Sequence, residues 1–184
     1  KARPRPRIFR YPTHQALINR MGFPNDGAGA LAANLEGERS DNPVIGVNLG
    51  INKTTPIENA LADFLPLMER FHPLADYLAI NVSSPNTTGL RDLQGEQFLD
   101  ALIGALMNAR NNLDERHERR VPLLVKLAPD LAPDDLRTSI DILLKHNIDG
   151  VIASNTTLSR PADLTPDETG GLSGRPLAAM STAM

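Results

Sequence analysis

The sequence predicts an α/β protein built on a parallel sheet, and among such proteins a (βα)8 barrel of the TIM type. Three observations carry this. Four short apolar runs rich in Val, Ile or Leu recur at residues 44–49, 77–82, 123–127 and 150–154. Amphipathic helical patterns fill the intervals between them. Each run also ends in, or just before, a polar cluster: Asn48, then residues 81–87, then Lys126, then residues 154–157.

Unbroken rather than alternating apolar runs indicate strands covered on both faces, as in parallel sheets. After the first run, Thr55-Pro56-Ile57-Glu58 resembles a capping box with Pro at the first helical position. Pro66 would break a helix that ran straight through to Phe71. A short helical turn is therefore expected first, with the main helix starting near Asp63. The second interval places Phe98, Leu99, Leu102, Ile103, Leu106 and Met107 along one helix face. The third carries Leu136, Ile140, Leu143 and Leu144, with Pro133 suited to a first turn and Asp134 and Asp135 favourable to the helix dipole. Such alternation implies βαβ units, in which ligands bind at the carboxyl ends of the strands. The row of polar strand ends is what a site there predicts. A doubly wound dinucleotide-binding sheet would satisfy the alternation equally, but its Gly-x-Gly-x-x-Gly turn after a first strand is missing, which favours the barrel.

Bulk properties narrow the function. A length of 184 residues suits one domain, and 41% apolar residues suffice for a core. The net charge of −3 gives no global attraction to nucleic acid or anionic lipid. No apolar run approaches the roughly 20 residues of a membrane span. The basic start Lys1-Ala2-Arg3-Pro4-Arg5-Pro6-Arg7 is followed by no apolar stretch, so it does not read as a signal peptide. Cysteine is absent, which excludes disulfides, thiolate zinc sites and cysteine nucleophiles. The histidines, His14, His72, His117 and His146, lack metal-ligand spacing and read as surface or helix-end residues. The chain opens inside a Pro/Arg stretch and closes on an apparent helix start, residues 175–180, so a fragment of a longer chain is expected.

Three segments carry chemistry. Asn81-Val82-Ser83-Ser84-Pro85-Asn86-Thr87 packs amides, hydroxyls and a Pro directly behind an apolar run. Its composition fits an ordinary Ser/Asn/Pro turn equally well. Asparagine, however, offers both donor and acceptor, which suits a flat heterocycle with alternating C=O and N–H groups. Lys126 interrupts Val125-Lys126-Leu127, where an unpaired ammonium is costly. Either it reaches solvent or a carboxylate such as Asp130, or it presents a fixed positive charge to an anionic ligand. Gly170-Gly171-Leu172-Ser173-Gly174 reads as a Gly-rich loop ahead of a helix, allowing close backbone approach to a cofactor.

Taken together these segments resemble the dihydroorotate dehydrogenase family, in its class 2, quinone-linked branch. The matching pieces, in the family's order, are Asn19-Arg20-Met21-Gly22-Phe23, Gly46-Val47-Asn48-Leu49-Gly50, residues 81–87, Val125-Lys126-Leu127-Ala128-Pro129-Asp130, residues 149–157 and residues 170–177. Any one is weak; six in order are specific. The resemblance implies an FMN-containing barrel that oxidises dihydroorotate to orotate in pyrimidine synthesis, with quinone as electron acceptor. It makes Ser84 the base that removes the C5 proton while hydride passes from C6 to flavin N5. Serine stands where class 1 members use cysteine. Thr87 and Phe23 would lie near the base, where a water could relay its proton. Asn48, Asn81, Lys126, Ser154 and Gly174 would contact FMN. The substrate would be held by Asn19, Asn81, Asn86, Asn155 and Thr156, with Arg20, Met21, Gly22 and Phe23 in the same substrate-binding segment. Pro24 and Ile51 depart from the family pattern, Ile51 standing where a lysine is expected.

By the same resemblance, the chain holds roughly the third to sixth strands of the (βα)8 barrel, as the central part of a single FMN-binding domain. The N-terminal helices that meet the membrane, the first two strands and the last two would lie outside it. A bacterial homologue would sit peripherally on the cytoplasmic side of the inner membrane. Two other readings stand beside this one: a non-catalytic fragment of such a barrel, and a related flavin barrel acting on another pyrimidine.

Overall fold

The computed structural model describes residues 5–37, 43–84, 95–166 and 168–184. Along them run β1 (Ile8–Tyr11), β2 (Ala16–Asn19), α1 (Ala28–Leu35), β3 (Gly46–Leu49), α2 (Ala60–Phe71), β4 (Tyr77–Asn81), α3 (Glu96–His117), β5 (Leu123–Leu127), α4 (Pro133–Lys145), β6 (Gly150–Ala153), β7 (Gly171–Gly174) and α5 (Arg175–Ala183). The four apolar runs become β3, β4, β5 and β6, parallel and adjacent in that order. Neighbours in sequence are neighbours in space, without the reversal that marks a doubly wound sheet. The result is an arc of a (βα) barrel, as the sequence predicts.

Side chains alternate across a strand, so the register decides what each face presents. Val47, Leu49, Leu78, Ile80, Leu123, Val125 and Leu127 all join one core with α2, α3 and α4. Phe64, Met68 and Phe71 of α2 are fully buried there, each worth about 1.5–3 kcal/mol. The interleaved positions, Asn48, Ala79, Asn81, Leu124 and Lys126, fall on the opposite face, with Asn81 and Lys126 as register partners. Apart from Leu124 that face is small or polar, where the sequence suggested strands apolar on both sides.

Several local expectations change. A single 3-10 turn (Ile57–Asn59) with Pro56 at its N-cap leads straight into α2, and no side-chain capping bond forms there. α2 starts at Ala60 rather than Asp63 and continues through Pro66. Pro66 is exposed, as is Ala62 four residues earlier, so the carbonyl that loses its N–H partner is left to water. Asp63 instead accepts hydrogen bonds from the Asn52 backbone and side-chain N–H groups at 2.7 and 3.0 Å. Phe98 and Leu144 are solvent-facing, 51% and 68% exposed, and α4 buries Ile142 in place of Leu144. His72 is no surface residue: it is fully buried at the end of α2, bonded through Nε2 to Asp114 at 2.7 Å.

A second sheet has no counterpart in the sequence reading. β1 and β2 form a hairpin, and β7 pairs antiparallel with β2. Residues 170–174 are therefore largely strand, not loop. Their glycines serve backbone-to-backbone approach: a Cβ on Gly170 would lie 2.2 Å from the Asn19 carbonyl oxygen, and one on Gly174 would lie 2.3 Å from that of Gln15. Both also sit at positive φ, where only glycine is unstrained.

At the amino ends of the parallel strands, carboxylates tie neighbouring strands together. Asp76 accepts the Ile45 N–H at 2.7 Å and Asp149 accepts the Leu123 N–H at 2.8 Å. Consecutive arginines serve the two clamps, Arg119 bonding Asp76 at 3.3 Å and Arg120 bonding Asp149 at 2.6 Å. The buried Arg110 bridges Asp149 and Asp114, at 3.1 and 3.5 Å. Burial pushes the Asp149 carboxyl up, but the Leu123 N–H, the Arg120 hydrogen bond and the charges of Arg110 and Arg120 outweigh it and hold the group below the usual carboxylate range.

Candidate ligand site at the strand carboxyl ends

At the opposite end of the same strands lies a cavity of about 270 Å³. Asn48, Asn81, Lys126, Asn155 and Thr156 reach it from the ends of β3, β4, β5 and β6, and Ser84 from the segment after β4. Asn19, Gly22 and Phe23, at and after the end of β2, close one side.

The asparagines form one coupled network. Asn81 donates through Nδ2 to Asn48 Oδ1 at 3.4 Å, and its own Oδ1 accepts the Asn155 amide at 3.3 Å. Ser83 stands behind them, wholly buried. Its N–H and Oγ both donate to Asn81 Oδ1 at 3.2 Å, and its Oγ accepts from Asn155 Nδ2 at 3.0 Å. Asn155 Oδ1 in turn accepts the Thr156 N–H at 2.8 Å. These bonds fix which end of each amide faces the cavity, so the site presents a set pattern of donors and acceptors.

Lys126 sits in this cavity half-buried. The alternative Lys126–Asp130 pair is not among the ion pairs of the described residues. Asp130 accepts hydrogen bonds from Thr157, Leu158 and Ser159 and so shapes the turn after β6. Ser84 is 6% exposed, at the cavity wall. A strand-end cation, a buried hydroxyl and oriented amides converge on one small volume suited to a planar, oxygen-rich, anionic ligand.

The structure thus gathers nine of the residues singled out from sequence. Others lie elsewhere. The Arg20 guanidinium bonds Glu168 at 2.7 Å and Thr169 at 3.3 Å and lies 4.4 Å from the Phe9 ring centre. Met21 is held through its N–H to Asn19 Oδ1 at 3.5 Å. Ser154 Oγ donates to the Asn155 carbonyl at 2.9 Å. Gly174 borders a second cavity of about 460 Å³ beside the β1–β2 hairpin. Asn86 and Thr87 fall outside the described residues. Ser83 is the participant sequence reading missed; next to Ser84 in a run of polar residues, nothing in composition separates a supporting hydroxyl from a reacting one.

Fold and site together define a class: a (βα)-barrel protein with a polar small-molecule site at its strand carboxyl ends. Comparison with known proteins makes this specific. The chain belongs to the dihydroorotate dehydrogenase family, which it matches over residues 1–184. It is 48% identical to dihydroorotate dehydrogenase (quinone) of Flavobacterium lutescens, over 98% of this chain and 53% of that protein. Against the protein of the same name from Xylella fastidiosa it is 50% identical, over 97% and 52%. Such relatives put the chain on the class 2 side of the family. Among solved structures, the Eimeria tenella dihydroorotate dehydrogenase in complex with ferulenol superposes with a TM-score of 0.90 at 40% identity, over 99% of this chain and 54% of that one. Its ligand-free form gives 0.89 at 41%. The chain spans about half the length of the curated relatives it matches.

Proposed function

We propose that residues 1–184 form the central part of a single FMN-binding barrel domain, and that the complete protein oxidises (S)-dihydroorotate to orotate in pyrimidine biosynthesis with a quinone as electron acceptor. The observation that carries the proposal is the meeting of Ser84, Lys126 and the coupled amides of Asn48, Asn81 and Asn155 in one cavity.

The donor set fits FMN. Lys126 offers a fixed cation that forms no ion pair with a carboxylate among the described residues, and Asn48 and Asn81 offer amide edges beside it. The group bound there would supply a hydride acceptor, and Lys126 would balance negative charge placed on it. Asn19, Asn81 and Asn155 orient the substrate through its carboxylate, carbonyls and ring N–H, and Thr156 adds a hydroxyl at the same strand end. Ser84 Oγ takes the C5 proton as its own hydroxyl proton passes to a relaying water. Serine is weakly basic, so positioning, exclusion of water and a proton relay must do what its pKa does not. Burial of Ser84 at the wall of the cavity that Phe23 also lines supports that role. Asn86 and Thr87, along with Met21, Gly22, Ser154 and Gly174, keep the roles the family resemblance gives them, and Arg20 stays part of the substrate-binding segment.

Quinone and the membrane surface enter through the family likeness. No helix among the described residues is long and apolar enough to cross a membrane. Peripheral attachment, at the cytoplasmic face of the inner membrane in a bacterium, is assigned to residues beyond these. The test is the complete protein: it should purify yellow with one FMN per chain, turn over dihydroorotate with a soluble quinone, and be inhibited by orotate. Turnover of another dihydropyrimidine in preference, without orotate inhibition, would replace this reading with that of a related flavin barrel.

A further inference from the structure

The geometry points to Arg20, Glu168 and Arg160 as a clamp that positions the Asn19–Phe23 wall of the substrate site, with Arg20 acting through Glu168 and not by touching the ligand. The inference rests on the proposed function and deepens it by giving this segment's arginine a different task.

The cavity is built from two parts of the chain that share no sheet. Asn155 and Thr156 follow β6 of the parallel sheet, whereas Asn19, Gly22 and Phe23 come from β2 of the antiparallel one. The second wall must be held against the first, because displacement by about 1 Å is enough to lose much of a site's binding or rate. Backbone hydrogen bonds between Thr157 and Leu172, at 3.0 and 2.8 Å, make one link, and Arg160, just past Thr156, adds a side-chain link beside it. One guanidinium nitrogen donates to the Thr157 and Ser159 carbonyls at 3.4 and 3.2 Å, on the β6 side. The other donates to the Glu168 and Gly170 carbonyls at 3.0 and 2.6 Å, on the β7 side.

From there two links reach the β2 wall. Gly170 abuts the Asn19 carbonyl so closely that no Cβ could fit between them. The Glu168 carboxylate accepts from Arg20 at 2.7 Å, with both side chains about three-quarters buried. Arg20 is fixed from its other side by the Phe9 ring. With its charge matched by Glu168 and its plane stacked, the guanidinium is committed away from the cavity, whose lining passes from Asn19 to Gly22 without it. A planar fork holding two carbonyls at once is something arginine does and lysine does not.

The experiment uses the complete protein with Arg20→Gln, Glu168→Gln, the double variant and Arg160→Lys. Orotate affinity is read by calorimetry, KM and kcat for dihydroorotate by turnover, and amide hydrogen exchange at residues 19–23 without ligand. Each single variant is expected to raise the orotate Kd and the KM about tenfold, with kcat within about twofold and faster exchange at 19–23. The double variant should be no worse than the singles, because both break one link. If Arg20→Gln weakens orotate while Glu168→Gln and Arg160→Lys keep wild-type Kd and exchange, Arg20 touches the ligand and the clamp is wrong. The exchange readout needs no ligand. Faster exchange in the variants with no orotate binding by wild type would uphold the clamp and overturn the proposed function instead.

Discussion

The two ends of the parallel sheet are built from opposite chemistry. At the amino ends, charges are closed on one another: Asp76 on Arg119, Asp149 on Arg110 and Arg120, Asp114 on Arg110 and His72. Their carboxylates also take strand N–H groups, so the network knits β3 to β4 and β5 to β6. At the carboxyl ends the side chains are amides and hydroxyls bonded mainly to each other, with Lys126 facing a cavity. One end is satisfied by itself; the other is arranged for something else to complete it. In barrels this division separates stability from chemistry, and each variant below should move one of these and leave the other in place.

The largest effect is expected at Ser84. In the complete protein, Ser84→Ala should lower kcat by about 100- to 10,000-fold, the range removed with a general base. Thermal unfolding should shift by less than about 1 kcal/mol, since the lost group is a single hydroxyl at a cavity wall. Near-normal turnover across pH would remove Ser84 from the base role.

The mirror-image variant is Asp149→Ala. It strips the Leu123 N–H and the buried Arg110 of an acceptor, at a cost on the order of 3 kcal/mol. Urea unfolding should show the loss as a lower midpoint, while kcat per folded molecule stays at the wild-type value. A fall in kcat with unchanged stability would mean that the two ends are coupled.

Lys126→Met should give the third effect, intermediate in kind. A cation inside a strand is costly to keep without a ligand, so the apoprotein should be as stable as wild type or more so. FMN affinity should fall about tenfold, the equivalent of one charge-assisted contact. Unchanged affinity, read by flavin fluorescence on titration, would return Lys126 to a merely solvated strand residue.

Much of this contrast was legible in the sequence at one end and not at the other. Asn48, Asn81 and Lys126 announce themselves because a polar residue closing an apolar run has few bland explanations. The clamps at the other end give no such signal. Arg119 and Arg120 look like any basic pair after a helix, and their partners Asp76 and Asp149 are 43 and 29 residues away. The antiparallel sheet was hidden for a related reason. β7 is Gly-Leu-Ser-Gly, a composition poor in strand formers, and Ala16 finds its partner at Gly174, across nearly the whole chain. The start of α2 is obscured by Pro66, which reads as a breaker in sequence, whereas in the fold the carbonyl it orphans faces water. Periodicity reports which face is buried; it cannot report which distant residue will satisfy a buried charge.

The smallest effect is the acid limb of stability. Asp149 has a folded pKa held below its unfolded value. Its contribution is therefore present above the unfolded carboxylate pKa of about 3.9 and is lost as pH falls through the lower folded value. Asp100 behaves alike in direction, lowered by its hydrogen bonds to Lys145 and His146, but its side chain is 38% exposed at the surface, where such pairs contribute little. The decline below about pH 4 should thus come more from the amino-end network than from the surface. Asp149→Asn should flatten that decline measurably, and Asp100→Asn should barely change it. Equal flattening by both would show that the amino-end carboxylates are no more committed to the fold than those on the surface, and would weaken the contrast between the two ends of the sheet.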